Sequence, residues 1–375
     1  MDPDVSVLLH CAPWRGLRER QIQVELSSRF NRHILADAEK HIDSLWEERT
    51  KREPWLFNGA KFRLHSAKWT RPPSPTATPY NARGAQDEDK VPLETSRQQR
   101  CCSDGEGCDH TQKHTHCGGQ PAVPAPETCS GDRPVVKSHS LKDTGHQRVN
   151  KPVQLSLQLG LTCYKDYLGT NWSKRVGELQ KRGGVELGDP QALLAQPLGV
   201  GAVMTTADGQ VVLLRRSQKV AEAAGLLDIP GGHPEPKAVC KAISEESITV
   251  ELLQGREEAV LMEIFSSVLA EIRDEVNLPL SSLSEPILLG IALNHTSAGR
   301  PSAEFYVRCS LTAEEVKILY WRGGPEAHES TDVVFLRETE WLTLDDSAPL
   351  WSELCPSAKG AIILHQVVMP VKGDL

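Results

Sequence analysis

The chain of 375 residues contains no apolar run near the roughly 20 residues needed to cross a bilayer. A membrane-spanning helix is therefore not expected. Its first ten residues, Met1 to His10, hold no basic stretch and only a five-residue apolar-rich run. That excludes a secretory signal and points to the cytosol or nucleus. Positive charge is not in excess: 42 Lys and Arg face 50 Asp and Glu, for a net charge of −8. Such a chain is a poor match for a polyanion, so an extended nucleic-acid interface is not expected. A small anionic substrate remains compatible, because a bound divalent cation reverses the local field. There is no internal repeat. Ten cysteines are present, half of them within 101–129; without a secretory signal they read as reduced thiols.

With 39% hydrophobic and 25% charged residues the rest is ordinary globular sequence. Val5–Leu9 reads as a strand. Ala36–Arg49 reads as an amphipathic helix, with Ile42, Leu45 and Trp46 on one face. Trp55–Phe57 and Lys61–His65 read as extended. From 71 to 150 the composition turns to Pro, Gly, Ser, Thr and charge, with no Trp or Phe and ten charges of each sign. Such a segment cannot bury enough apolar surface to offset its ordering entropy and is predicted to be a disordered insertion. Its Cys101, Cys102, Cys108, His110, His114, His116 and Cys117 match no zinc-finger spacing, so no metal is assigned there. Val153–Leu159 alternates apolar and polar residues, as a half-buried strand does, and the run to Trp172 leads into a short helix. Gly199–Thr205 and Val211–Leu214 flank Asp208-Gly209, a strong hairpin signal. Val260–Val276 reads as a long helix ending near Asn277. Pro286–Ala292, Ala303–Cys309 and Asp332–Leu336 read as strands, and Thr312–Tyr320 and Lys359–Val368 as helices.

The chemistry centres on Leu269-Ala-Glu-Ile-Arg-Asp-Glu-Val-Asn-Leu278. On a helix Glu271, Asp274 and Glu275 project from one side. Like charges at that spacing destabilise a helix unless a positive charge sits among them. A hard divalent cation with oxygen ligands answers that need. Upstream, Leu226-Leu-Asp-Ile-Pro-Gly-Gly-His-Pro-Glu235 carries two glycines that let the backbone approach a ligand. The hairpin before it ends in Arg215-Arg216, a basic pair able to meet a phosphate.

This order resembles the Nudix hydrolase superfamily, whose signature is G-x5-E-x7-R-E-U-x-E-E-x-G-U with U a bulky apolar residue. Glu271-Ile-Arg-Asp-Glu275 matches E-U-x-E-E with Asp for one Glu, Leu278 matches the last U, and Gly232 the opening glycine. Gly232 and Glu271 stand 39 positions apart, well beyond the signature's spacing, so 238–258 reads as an insertion within it. Ala270 stands where the signature has arginine, Asn277 where it has glycine, and Glu263 is nearest to its first glutamate. Phe57, Thr162–Trp172, Gly231–Pro236, Gly324–Ser330 and Cys355–Gly360 are similar to the members that act on UDP-sugars.

The resemblance implies an α/β fold: a Nudix α/β/α sandwich with a mixed sheet at 195–375. A smaller α+β domain, 1–70 with 151–194, would precede it and carry the insertion 71–150. It implies hydrolysis of UDP-glucose or UDP-galactose to UMP and hexose 1-phosphate, with a nucleotide sugar as partner and neither nucleic acid nor membrane. Mg²⁺, with Mn²⁺ as a substitute, would be held by Glu271, Asp274 and Glu275. Glu271, Glu275 and Glu329 would be catalytic, with Glu304 a second candidate base. Arg216, Ser357 and Lys359 would meet phosphate, Phe57 and Tyr164 would stack on uracil, and Asp228, Gly232 and Glu235 would line the substrate. Two other readings compete: a Nudix hydrolase of another nucleoside diphosphate conjugate such as ADP-ribose, and a silent Nudix fold that binds a nucleotide or protein. The missing signature arginine favours the silent fold, and the retained carboxylates oppose it. Because 71–150 has no core-forming composition, replacing it with a short Gly/Ser link should leave turnover unchanged and the thermal midpoint unchanged or slightly raised. Lost turnover in a folded deletion variant would show the tract to be a working part.

Overall fold

The structure, a computed structural model, describes residues 2–70, 154–220 and 222–370. The predicted insertion 71–150 and its Cys/His cluster lie outside the described residues. Ahead of residue 71 come β1 (Val5–His10), β2 (Ile22–Leu26), α1 (Ala36–Arg52) and β3 (Ala60–Trp69). After residue 153 follow β4 (Leu155–Cys163), α2 (Tyr164–Gly169) and α3 (Val176–Arg182). Then come β5 (Gly199–Thr205), β6 (Gln210–Arg216), β7 (Leu227–Asp228) and β8 (Gly231–Gly232). The short helices α4 (Pro236–Val239) and α5 (Val250–Leu253) lead to α6 (Glu257–Val276), and β9 (Ile287–Asn294) and β10 (Arg300–Arg308) follow. The last elements are α7 (Ala313–Trp321), β11 (Ser330–Arg337), α8 (Glu338–Trp341) and α9 (Pro356–Val368).

The large sheet is mixed, in the order β1-β9-β10-β5-β6-β11, with β7 on β6 and β8 on β5. Only β5 and β10 pair in parallel among these strands. The small sheet is β2-β4-β3, with β2 parallel and β3 antiparallel to β4. All seven residues of β5 are buried, which is what a strand covered on both faces requires. Ala202 and Met204 pack in one cluster with Ile264, Val268 and Ile272 of α6. Val203, between them, packs in a second cluster with Ala361, Ile362 and Leu364 of α9. The period of two along β5 thus sends alternate side chains to opposite helix layers, giving the expected α/β/α sandwich. The α6 cluster also takes in Val24, Phe62, Leu64, Leu157 and Leu159 of the small sheet. So α6 is apolar on two sides, with one sheet against each, and its remaining face is free for carboxylates.

Local chemistry sets the ends of the elements. Asn277 closes α6 in the left-handed region at φ 62°, where Asn is tolerated better than most residues. Thr312 and Glu315 cap α7 reciprocally, so Thr312 is its cap and not its first residue. α9 opens three residues earlier than expected, at Pro356, because proline suits a first helical turn. Pro54 follows α1 and withholds a backbone donor. The extended segment expected at Trp55–Phe57 is accordingly a turn and loop, with Trp55 75% and Phe57 67% exposed. The stretch 238–258 holds α5 and buries Cys240, Ile248, Val250 and Leu253 against the α6 core.

Lys359 is a buried residue of α9. It lies in a buried ion pair with Asp2 at 2.8 Å, the side chains being 9% and 7% exposed, and Asp2 also accepts from the Trp351 indole at 2.6 Å. Removing one partner leaves the other charge buried and unpaired. Lys359→Met should therefore lose about 3 kcal/mol of stability in urea titration while its KM for substrate stays at the native value. A raised KM with native stability would place Lys359 in the binding site instead.

Candidate active site

The ends of β5, β6, β8 and β10 open into a cleft of about 960 Å³. On its floor, β8 lies against β5 with Gly201 opposite Gly231 and Val200 opposite Gly232. The missing side chains at two of these glycines matter to the carboxylates beside them. A Cβ on Gly232 would collide with both carboxylate oxygens of Glu271, and one on Gly201 would collide with Glu304, its register partner on β10. Two missing side chains thus make room for two carboxylates.

Glu271 and Glu275 project from the free face of α6, one turn apart. The His233 N–H donates to Glu271, and the Gly231 N–H donates to Glu275 at 3.0 Å. Those two donors do not offset burial. Burial, with Glu326 and Glu329 nearby, pushes the Glu271 carboxyl up to about 7. Burial and the neighbouring Glu271 push Glu275 well above the usual carboxylate range. Glu304 is completely buried, and neither of its oxygens completes a well-aligned hydrogen bond in the structure. Burial raises it to about 8, opposed by the neighbouring Ser302 hydroxyl, which does not meet hydrogen-bond geometry. The cleft therefore holds more buried carboxylate than its own cations neutralise.

That excess, with a completely buried Glu304 and the glycine cradle around Glu271, fits a hard divalent cation. Among the described residues, no group of three or more His, Cys, Asp and Glu side chains converges to hold one alone. Asp274, whose side chain is 21% exposed, is paired with Arg273 at 2.5 Å.

Of the other residues singled out in the sequence, Tyr164, Arg216, Asp228, Gly232, Glu235, Glu271, Glu304, Glu329 and Ser357 line the cleft. Glu275 sits just behind the Gly231 backbone; Phe57, Asp274 and Lys359 are not among the lining residues. Asp228 is the hub of one wall, accepting from the Ser357 hydroxyl at 2.6 Å and from Arg216 at 3.3 Å. Glu235 is paired with Lys61 at 2.7 Å, and Glu263 accepts from its N–H at 3.0 Å. Sequence reasoning passed over Tyr167, Trp172, Glu222, His233, Arg300 and Glu326, which also line the cleft. Tyr167, Trp172 and His233 stand inside the motifs already quoted, but Glu222 and Arg300 carry no local signal.

No family model matches the chain. It is 44% identical over 368 residues to the human uridine diphosphate glucose pyrophosphatase NUDT22, covering 98% of this chain and 94% of that one. It is 26% identical to Nudix hydrolase 9 of Arabidopsis thaliana, covering 98% and 93%. Among solved structures it is similar to the MutT protein of Methanosarcina mazei, at 17% identity over 44% of this chain and 89% of that one, with a TM-score of 0.26. The chain belongs to the Nudix hydrolases, and it is an enzyme of that class. Membership carries a general dependence on a divalent cation. Among the described residues no helix is long and apolar enough to cross a membrane.

Glu304 allows a test of this electrostatic picture without substrate. Its folded-state value of about 8 lies above its ordinary 4.5, so the folded protein holds this proton more tightly than the unfolded chain. The resulting stability is full below pH 4.5 and is lost as the pH rises to about 8. With EDTA present, Glu304→Gln should be more stable than the native protein at pH 8.5 by at least about 1 kcal/mol, and should lose this advantage near pH 4.5. An equal effect at both pH values would show that Glu304 is not a buried, strained acid.

Proposed function

We propose that this Nudix hydrolase cleaves the diphosphate bond of UDP-glucose or UDP-galactose with Mg²⁺, releasing UMP and hexose 1-phosphate. The observation that carries the reading is the carboxylate pair of half-buried Glu271 and buried Glu275, set against a diglycine turn in a nucleotide-sized cleft. The relatives named for UDP-glucose pyrophosphatase activity supply the substrate class.

Glu271 and Glu275 would hold the cation, Mg²⁺ or in its place Mn²⁺. When bound, the cation neutralises diphosphate oxygens and acidifies a water molecule. The chain's own residues do the rest. Arg216 is held by Asp228 and by the Glu222 carbonyl at 3.1 Å, which aims its remaining N–H groups at a phosphate. Ser357, fixed on Asp228, offers a second polar contact. Glu329 stands close enough to raise Glu271 and takes the proton from the attacking water. Glu304, protonated to about pH 8, is less suited to that role. Tyr164, which lines the cleft, would stack on the uracil; Phe57 is exposed and does not line it.

In this reading 22–70 with 154–194 act as the smaller α+β domain, whose Tyr164, Tyr167 and Trp172 line the cleft, and 195–370 as the hydrolase domain; β1, expected with the smaller domain, instead pairs with β9 and completes the hydrolase sheet. The protein would work in the cytosol or nucleus, where its five described cysteines stay free, and without nucleic acid or membrane as partner.

Glu275→Gln removes a ligand charge at nearly constant shape. Its turnover of UDP-glucose should fall about 100-fold or more, and Glu329→Gln should lower kcat by about the same factor with KM little changed. Near-native turnover by a folded Glu275→Gln protein would overturn the reading.

A further inference from the structure

The structure assigns a subsite for a vicinal diol to Glu222, Arg300 and Tyr167, on the wall of the cleft beyond His233; the assignment rests on the nucleotide-sugar reading above. Glu222 accepts from the Tyr167 hydroxyl through one carboxylate oxygen and from Arg300 at 3.2 Å through the other. Arg300 also donates to Nε2 of His233 at 3.2 Å. These bonds leave three of the five guanidinium N–H groups and two carboxylate lone pairs uncommitted to those partners. The Glu222 and Arg300 side chains remain 24% and 19% exposed, and both line the cleft. His233 joins this cluster to the reaction centre, since its backbone N–H binds Glu271.

Two physical arguments select the ligand group. A flat base is disfavoured because the Tyr167 ring is only 7% exposed, with Arg300 at 5.7 Å and the Trp172 ring stacked at 6.2 Å already against it. Adjacent hydroxyls, each both donor and acceptor, match a carboxylate beside a guanidinium, the acceptor taking one proton and the donor meeting the neighbouring oxygen. Both the ribose and the hexose of a nucleotide sugar carry such a diol.

The test is calorimetric binding in EDTA, where the ligand stays intact, with native protein and Glu222→Gln. The ligands are UDP-glucose, its analogue lacking the ribose 2′-hydroxyl, its analogue lacking the hexose 2-hydroxyl, and CDP-glucose. Glu222→Gln should bind UDP-glucose about ten-fold more weakly, as expected for losing a hydrogen bond to a charged group. On one deoxy analogue, native and variant should bind alike within about two-fold; the analogue that shows this identifies which sugar is held. Arg300→Lys, which keeps the charge but loses the planar fork, should give the same pattern and serves if Glu222→Gln does not fold. Equal weakening on all four ligands, no weakening of UDP-glucose, absence of native binding, or an altered preference for uracil over cytosine with both deoxy analogues affected as UDP-glucose is, would each overturn the subsite. Release of UMP on adding Mg²⁺ is read separately, so a protein that shows the diol pattern and yet cleaves nothing would refute the catalytic reading alone.

Discussion

Crowding of buried carboxylate is the constraint on which the site depends. Glu275 lies beside Glu271, each with one backbone N–H donor, and Glu304 is completely buried on β10 beside Asp228 in the same cleft. Left alone, such an arrangement costs stability, since each burial favours the neutral acid. The fold nevertheless makes room for it, omitting side chains at Gly201 and Gly232 and placing α6 between two sheets so that one face stays polar. A structure that stores unfavourable charge in this way is built to receive positive charge there.

The rest of the architecture follows from holding those carboxylates still. The two-sided core grips α6 along its length, with Val260, Ile264, Val268 and Ile272 all essentially buried. The parallel pairing of β5 and β10 fixes Glu304 opposite Gly201, and β8 brings the diglycine turn to the same edge. One wall, through Asp228, Arg216 and Ser357, is polar and suited to phosphate. The other, through Glu222, Arg300 and Tyr167, sets acceptor and donor side by side and is suited to hydroxyl groups.

Much of this was legible in the sequence, for identifiable reasons. The α6 carboxylates obey a four-residue period, and the Asp208-Gly209 turn announces the β5–β6 hairpin. Tyr164 was found because it sits in a recognisable motif; Tyr167, one turn on, was missed because a sequence does not tell which helical face meets a cleft. Arg300 and Glu222 were invisible because their meeting depends on β10 and the β6–β7 connection folding to one place from distant positions. Phe57 and Lys359 misled for the opposite reason. A motif aromatic and a basic residue near a helix start resemble ligands, but one lies exposed on a loop and the other is spent on Asp2.

The most direct measurement of the central claim is the fate of UDP-glucose in ¹⁸O-labelled water with Mg²⁺ present. Cleavage between the two phosphorus atoms should yield UMP and glucose 1-phosphate in equal amounts, with the label on one phosphoryl product and none formed once EDTA is added. Release of free glucose and UDP, or label distributed without dependence on a divalent cation, would contradict the account.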